Sequence, residues 1–174
     1  MRGINVGKNQ LKMADLKAVY EGLNCKNVTT YIQSGNVICK CGDNVLSENL
    51  SKKAEKKILE QHNITTPVIT ITIDELKTVI TANPFVKQPG IDAEKLHITF
   101  LAEVPKQANL DKILQYNYPP DKFIIIHKQA YLYCPVNYGN TKLSNTFFES
   151  KLKVTATTRN WRTLNTLLQL AEEK

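Results

Sequence analysis

Arginine is rare in this sequence, and its positions are the first indication of where chemistry could occur. Of the 23 basic side chains in 174 residues, three are arginines: Arg2, Arg159 and Arg162. The planar arginine fork binds a carboxylate or phosphate through two parallel hydrogen bonds, which lysine cannot reproduce. We therefore expect these arginines where geometry matters, either in contact with an anionic ligand or paired with structural carboxylates.

A second candidate is the turn after the first apolar segment, where Gly7 and Lys8 precede a predicted helix. Backbone N–H groups at such a turn attract anions. A nucleotide-binding P-loop needs the pattern G-x-x-x-x-G-K followed by a hydroxyl residue. Here Gly3 lies one residue too close to Gly7, and Asn9 replaces the hydroxyl residue. These departures exclude a triphosphatase of that type and predict either an anion-contacting turn or a simple tight turn.

A related arrangement lies near the other end of the chain. Residues 157–161 fall where a predicted strand turns into the last helix, and Asn160 is a favourable N-cap for that helix. Arg159 lies beside exposed N–H groups that prefer a negative charge. Trp161 is in register with the apolar face of the helix and is predicted to lie in the core.

Metal binding and nucleophilic catalysis have little support in the sequence. The three histidines are far apart, and Cys39 and Cys41 share one face of a predicted strand without a second pair of ligands. We interpret these cysteines as buried or edge thiols. No G-x-S-x-G motif is present. We therefore expect no metal and no cofactor, and no catalytic residue can be named.

The composition is that of an ordinary globular protein. Hydrophobic residues make up 42% and charged residues 22%, and the formal net charge of +7 is compatible with a polyanionic partner. No apolar run is long enough to span a bilayer, so no membrane partner is expected. Four cysteines without a secretory leader predict reduced thiols and a cytoplasmic location.

The apolar periodicity predicts the same order of elements twice. In residues 1–86, strands are predicted at Ile4–Val6, 28–32, 36–40 and 67–73, with helices between them and a further helix capped by Asp74. In residues 87–174, strands are predicted at 95–102, 123–126, 130–134 and 154–157, again with helices between them and a final helix from Trp161. The predicted fold is α+β: two tandem ferredoxin-like (split β-α-β) units, each an antiparallel sheet with helices on one face and an extra helix after it.

The same order of elements occurs in RNA recognition motifs, which stack bases on aromatic side chains of the sheet. The corresponding strand of the first half, residues 35–40, has no aromatic residue. In the second half Tyr131 and Tyr133 share a face, and His97 and Thr99 are placed on a neighbouring strand. The two tyrosines are expected to seal the sheet against another domain, with base stacking as the alternative.

Seven short motifs are spread over nearly the whole chain. They are R-G-I-N-V-G from residue 2, K-M from 12, T-Y-I-Q-S-G-N-V from 30, N-P-F from 83, H-I-T-F-L from 97, K-L-S-N from 142 and T-R-N-W from 158. Together these motifs resemble the bacterial domain-of-unknown-function family sixteen-ninety-seven. The resemblance implies a cytoplasmic bacterial protein with two ferredoxin-like halves, and it implies no activity. The chain departs from the family pattern where Gly7 stands alone instead of Gly-Gly.

The family pattern also has a short apolar segment before R-G-I-N. Met1 to Val6 allows only a very short central strand, and unpaired backbone groups beside it would be costly. We therefore expect the natural protein to carry about five further residues, mostly apolar, ahead of Met1, and a chain that begins at Met1 to be less stable.

The leading functional prediction is a binder of an anionic ligand, such as a nucleotide, a phosphate ester or an RNA backbone, at the junction of the two halves. The alternatives are an enzyme acting on a small phosphorylated or carboxylated substrate and a scaffold protein without a ligand. The predicted ligand-binding residues are Arg2, Asn5, Gly7, Lys8, Ser34, Asn36, Lys142, Asn145, Arg159 and Asn160.

Overall fold

The structure is a computed structural model that describes residues 1–7, 9–42 and 47–173. These residues form six α-helices and two antiparallel sheets. The chain divides into two compact units, one made of residues 1–75 and 167–174 and the other of residues 76–166. The division into 1–86 and 87–174 stays a prediction. Among the described residues, no helix is both long enough and apolar enough to cross a membrane.

The first unit is built on a hairpin that packs against two helices. Leu16, Val19 and Tyr20 of the first helix are buried, and Leu50, Ala54 and Ile58 of the second follow the spacing i, i+4, i+8 expected of one buried helical face. The elements are α1 (Met13–Glu21), β1 (Lys26–Tyr31), β2 (Asn36–Lys40) and α2 (Ser47–His62).

Two strands predicted for the first unit are not formed. Residues 4–6 make one isolated bridge between Val6 and Asn9, and Gly3, Asn5 and Gly7 all have positive φ, which a strand does not tolerate. Residues 67–72 join no strand ladder. The two segments meet instead through single hydrogen bonds, from the Arg2 N–H to the Pro67 carbonyl at 2.9 Å and from the Thr66 hydroxyl to the Arg2 carbonyl at 2.9 Å. The described sheet of this unit therefore has two strands.

Helix α3 (Ile73–Thr81) begins with a capping box. The Thr72 hydroxyl accepts from the Glu75 N–H at 3.1 Å, and the Glu75 carboxylate accepts from the Thr72 N–H at 2.7 Å. The prediction that Asp74 caps this helix was wrong, because the reciprocal pair one turn apart satisfies the first N–H groups.

The second unit has a four-stranded antiparallel sheet with the strand order β4-β5-β3-β6. Buried side chains of the helices, including Ile113, Phe148 and Leu152, form a core with Leu101 and Leu132 of one sheet face. The elements are β3 (Leu96–Leu101), α4 (Gln107–Ile113), β4 (Lys122–Ile126), β5 (Gln129–Tyr133), α5 (Asn145–Leu152) and β6 (Ala156–Asn160), with short 3-10 turns at Ala93–Lys95 and Tyr138–Asn140. Helix α6 (Trp161–Glu172) begins in this unit, and its residues from 167 onward belong to the first unit.

Candidate functional site

Asn5 ties the N-terminal loop to the turn of the β1–β2 hairpin. Its amide nitrogen donates to the carbonyls of Leu11 at 3.0 Å and Gln33 at 2.8 Å, and its amide oxygen accepts from the Leu11 N–H at 2.7 Å. Both amide hydrogens are therefore used within the protein. Asn5 was predicted as a ligand-binding residue, and the structure shows it holding two loops together.

The S-G-N motif is a tightly packed turn. The Asn36 amide nitrogen donates to the Tyr31 carbonyl at 3.2 Å and to the Ser34 hydroxyl at 3.0 Å, and Asn36 is 7% exposed. Gly35 has φ +73°, and a Cβ built there would lie 2.5 Å from Cγ2 of Ile4. The structure thus brings Ser34 and Asn36 to the N-terminal segment, where they organise the turn.

The other ligand-binding residues predicted in the first unit are Arg2, Gly7 and Lys8. The backbone of Arg2 pairs with residues 66 and 67 as described above. Gly7 is exposed with φ +61°, and its carbonyl accepts from the Gln10 side chain at 3.0 Å. Lys8 lies outside the described residues. The anion-contacting turn at Gly7 and Lys8 stays a prediction.

In the second unit, Thr158 connects a chain of polar side chains. Its hydroxyl donates to the Asn145 amide oxygen at 2.7 Å and lies 2.7 Å from the Thr99 hydroxyl. Because a hydroxyl has one hydrogen, Thr99 is the donor in the second bond. Strand pairing explains this arrangement, since Thr99 of β3 is the register partner of Thr158 of β6. We call Thr99, Asn145 and Thr158 the threonine cluster.

Arg159 follows Thr158 in β6, and its register partner is Ile98, so its side chain lies on the opposite face of the sheet from this cluster. Its guanidinium donates to the Thr157 hydroxyl at 2.9 Å and to the Thr158 carbonyl at 2.8 Å. Burial lowers the pKa of Arg159 to about 10, an effect that the nearby Tyr138 partly offsets. The group remains charged at neutral pH, so this end of the sheet holds a half-buried positive charge.

Asn160 and Lys142 have more local roles. The Asn160 amide oxygen accepts from the Thr163 N–H at 2.8 Å, which confirms Asn160 as the N-cap of α6. Strand β6 runs to Asn160, three residues beyond the strand end predicted at Thr157, so the helix follows the strand without a loop. The Lys142 ammonium lies 5.3 Å from the centre of the Tyr118 ring, a cation–π geometry.

His97 was not predicted as a site residue, although it begins the H-I-T-F-L motif. Its ring stacks on Tyr138 with centroids 4.4 Å apart, and its Nδ1 lies 3.2 Å from the Lys95 carbonyl. Since a carbonyl only accepts, Nδ1 carries the hydrogen and Nε2 carries the lone pair of the neutral ring. Burial lowers the pKa of His97 from its ordinary value of 6.5. Its register partner is Asn160, which places it at the same end of the sheet as the threonine cluster.

The face of the sheet that carries Tyr131 and Tyr133 was considered for base stacking as the alternative to sealing against another domain. Tyr131 is 2% exposed, and the half-buried Tyr133 ring packs near Phe85 with centroids 6.4 Å apart. Tyr131 pairs with Ile98, so His97 and Thr99 lie on the opposite face of the sheet. Stacking of bases on Tyr131 is excluded by its burial, and Phe85, which packs near Tyr133, belongs to the same unit.

Two further features of the described residues were not anticipated. Cys25 joins Cys39 and Cys41, so that three thiols lie together in the first unit. In the second unit, a cavity of about 380 Å³ is lined by Asn109, Lys112, Gln115, Tyr116, Ser150, Lys151 and Lys153. The Lys151 ammonium in this cavity donates to the Tyr116 hydroxyl at 2.6 Å.

The comparison with known proteins identifies the family but no activity. The family described as a protein of unknown function (DUF1697) matches residues 1–131. The chain belongs to this family. The structure is similar to that of conserved bacterial protein SP0830 from Streptococcus pneumoniae, with a TM-score of 0.66 and 19% identity over 98% of this chain and 94% of that one. At this identity the similarity shows the fold alone. No curated protein matches the sequence.

Proposed function

We propose that the second unit binds a small anionic ligand, carrying a phosphate or carboxylate group, at Arg159 and Thr157, which share one face of β6. The observation that carries this proposal is the half-buried guanidinium of Arg159, which donates to the Thr157 hydroxyl and the Thr158 carbonyl. Removing a cation from water costs free energy. An anion bound next to Arg159 would offset part of that cost and would match the planar fork.

The opposite face of β6 carries a second group of polar side chains, around the threonine cluster. The oxygen of the Asn145 side chain accepts from Thr158, which leaves its amide nitrogen directed away from that bond as a donor. Asn145 is also the first residue of α5, where backbone N–H groups favour negative charge. This is also the sheet face of His97, whose register partner is Asn160.

The order of elements supports a ferredoxin-like fold for the second unit. Strands and helices follow the order β-α-β-β-α-β, and the strand order β4-β5-β3-β6 is the one expected of a split β-α-β unit. We keep three finer statements as proposals: a ferredoxin-like first unit, the division of the chain at residues 86 and 87, and a ligand site at the junction of the halves. The four free cysteines support the predicted cytoplasmic location.

An enzyme acting on a small phosphorylated or carboxylated substrate is the second candidate, and His97 is the observation that favours it. With Nδ1 bound to the Lys95 carbonyl and its pKa lowered by burial, the ring is neutral at pH 7 with a lone pair on Nε2. A neutral imidazole is suited to act as a general base for a substrate bound on the face of the sheet that carries the threonine cluster. In that case ligand turnover would depend on His97, whereas simple binding would tolerate its replacement.

The test is to titrate inorganic phosphate and a nucleoside monophosphate into the wild type, Arg159→Gln and Arg162→Gln by calorimetry. Arg162 is exposed and three residues from Arg159, so its replacement removes the same charge without touching the site. A charge-assisted hydrogen bond contributes about 1.5–3 kcal/mol, which predicts about 10- to 150-fold weaker binding for Arg159→Gln. Arg162→Gln should retain the wild-type affinity. Equal affinities of all three proteins would refute the proposal.

A single-stranded RNA probe separates a nucleic-acid ligand from a small one. Binding through several phosphates weakens with a log–log salt slope of about 0.7 per phosphate on a single strand. A single-phosphate ligand gives a slope of about 1 or less. A steep slope with loss of RNA binding in Arg159→Gln would assign the site to an RNA backbone.

A further inference from the structure

Three cysteine side chains converge at one end of the β1–β2 hairpin. The Sγ atoms of Cys25 and Cys41 are 3.1 Å apart, and those of Cys39 and Cys41 are 3.8 Å apart. All three sulfur atoms lie within 4.8 Å of one another. We call this group the thiol cluster.

Strand register accounts for the meeting of these residues. Lys26 pairs with Lys40 across the antiparallel hairpin, so Cys25 and Cys41 follow as the next opposed positions. Cys39 lies two residues before Cys41 and therefore on the same side of the strand. The Cys25 N–H donates to the Tyr20 carbonyl at 3.1 Å, which fixes the chain at the end of α1.

The cluster is enclosed by the core of the first unit. Cys25 is buried in that core, and Cys39 and Cys41 are partly buried against it. Burial raises the pKa of Cys25 to about 11 and raises the pKa of Cys39 above its ordinary value. A thiol with a raised pKa is a poor nucleophile, which disfavours a catalytic or disulfide-exchange role.

The sulfur spacing matches that of thiolates around one metal ion. With metal–sulfur bonds of about 2.3 Å, two thiolates are about 3.8 Å apart in a tetrahedral site and about 4.0 Å apart in a trigonal one. The separation of Cys39 and Cys41, 3.8 Å, equals the tetrahedral value, whereas that of Cys25 and Cys41, 3.1 Å, is shorter and would have to widen by about 0.7 Å around an ion. We propose that Cys25, Cys39 and Cys41 bind one thiophilic metal cation through their three sulfur atoms.

The donor set limits the cation to soft or borderline metals. Three thiolates complete a trigonal site for Cu⁺, and for Zn²⁺ they leave a fourth position for water. Among the described residues, no further His, Cys, Asp or Glu belongs to the group. Lys26 and Lys40, both exposed and adjacent in sequence to the ligands, offset part of the negative charge of a metal–thiolate centre. Mg²⁺ and Ca²⁺ are excluded because they require oxygen ligands.

The experiment is a competitive titration of the reduced full chain with Zn²⁺ and, separately, with Cu⁺, each against a coloured chelator. The wild type is compared with Cys41→Ala, which removes the sulfur closest to both others, and with Cys134→Ala. Cys134 is a buried thiol of the second unit outside the cluster, so it is the matched control. The wild type and Cys134→Ala should bind one equivalent. Cys41→Ala should bind the metal ion more than about 100-fold more weakly. This loss exceeds the one typical of substitutions at residues that only orient a metal ligand.

X-ray absorption of the loaded protein identifies the ligands directly. We expect three sulfur atoms at about 2.3 Å, with an additional light atom at about 2.0–2.2 Å when the ion is Zn²⁺ and none when it is Cu⁺. If Cys41→Ala does not fold, as judged by circular dichroism, Cys39→Ser replaces it in the comparison. The proposal is overturned by absence of binding to the reduced wild type, by undiminished binding to the cluster variant, or by a shell of nitrogen and oxygen alone.

Discussion

Replacement of Gly35 by alanine tests how the S-G-N turn packs on the N-terminal segment. Gly35 has φ +73°, where any residue with a Cβ is strained by about 1–2 kcal/mol. The new Cβ would also lie 2.5 Å from Cγ2 of Ile4 and 3.1 Å from Cβ of Met1. Ile4 is 3% exposed and β-branched, so its methyl group has little room to move. Overpacking of this kind costs a further 1–3 kcal/mol, roughly. We expect Gly35→Ala to lower the free energy of unfolding by about 2–5 kcal/mol.

Gly3→Ala is the matched control for this measurement. Gly3 lies in the same unit with φ +70°, but a Cβ built there meets nothing within 4 Å. Its replacement should therefore cost only the backbone strain of about 1–2 kcal/mol. Urea unfolding followed by circular dichroism gives both values. Equal losses for the two variants would refute the argument that the S-G-N turn is packed against Ile4.

Three further predictions concern the second unit and α6. Thr158→Val keeps the shape of the side chain but leaves Asn145 and Thr99 without their shared partner, so urea unfolding should show a loss of about 1–3 kcal/mol, and Thr158→Ser should lose less. Asn160→Ala removes the N-cap of α6 and should cost about 1 kcal/mol in the same assay; an unchanged value would contradict the assigned cap. Because the folded protein lowers the pKa of His97, the unfolded chain binds the proton more readily, and stability should fall as the pH drops below 6.5. An NMR titration of His97 should give a midpoint below 6.5, and His97→Gln should flatten that part of the stability profile.

The spacing of apolar and turn residues was sufficient to predict the helices and strands that bury one regular face. The spacing of Leu50, Ala54 and Ile58 predicted α2, and the turn residues at Ser34 and Gly35 predicted the β1–β2 hairpin. Asn160 was recognised as an N-cap because its side chain satisfies a backbone N–H only three residues away. Such features depend on contacts within a few residues, which the sequence displays directly.

The same spacing gave a wrong prediction where a strand required a pairing partner far away in the sequence. Residues 67–73 alternate like a strand, yet a strand forms only if another chain segment offers a matching ladder. Residues 4–6, which were also predicted as a strand, are interrupted by left-handed backbone at Asn5 and followed by left-handed backbone at Gly7. Alternation in the sequence therefore described which side chains point the same way, and it did not establish that a ladder exists.

Strand register forms both the threonine cluster and the thiol cluster. Thr99 is 59 residues from Thr158, and they meet because β3 and β6 pair at those positions. Cys25 reaches Cys41 for the same reason, across the β1–β2 hairpin. The residue types, the two cysteines on one strand face and the T-R-N-W segment are visible in the sequence alone. Which side chains meet depends on how the strands pair, because a shift of one residue in register would turn each side chain to the other face of its sheet.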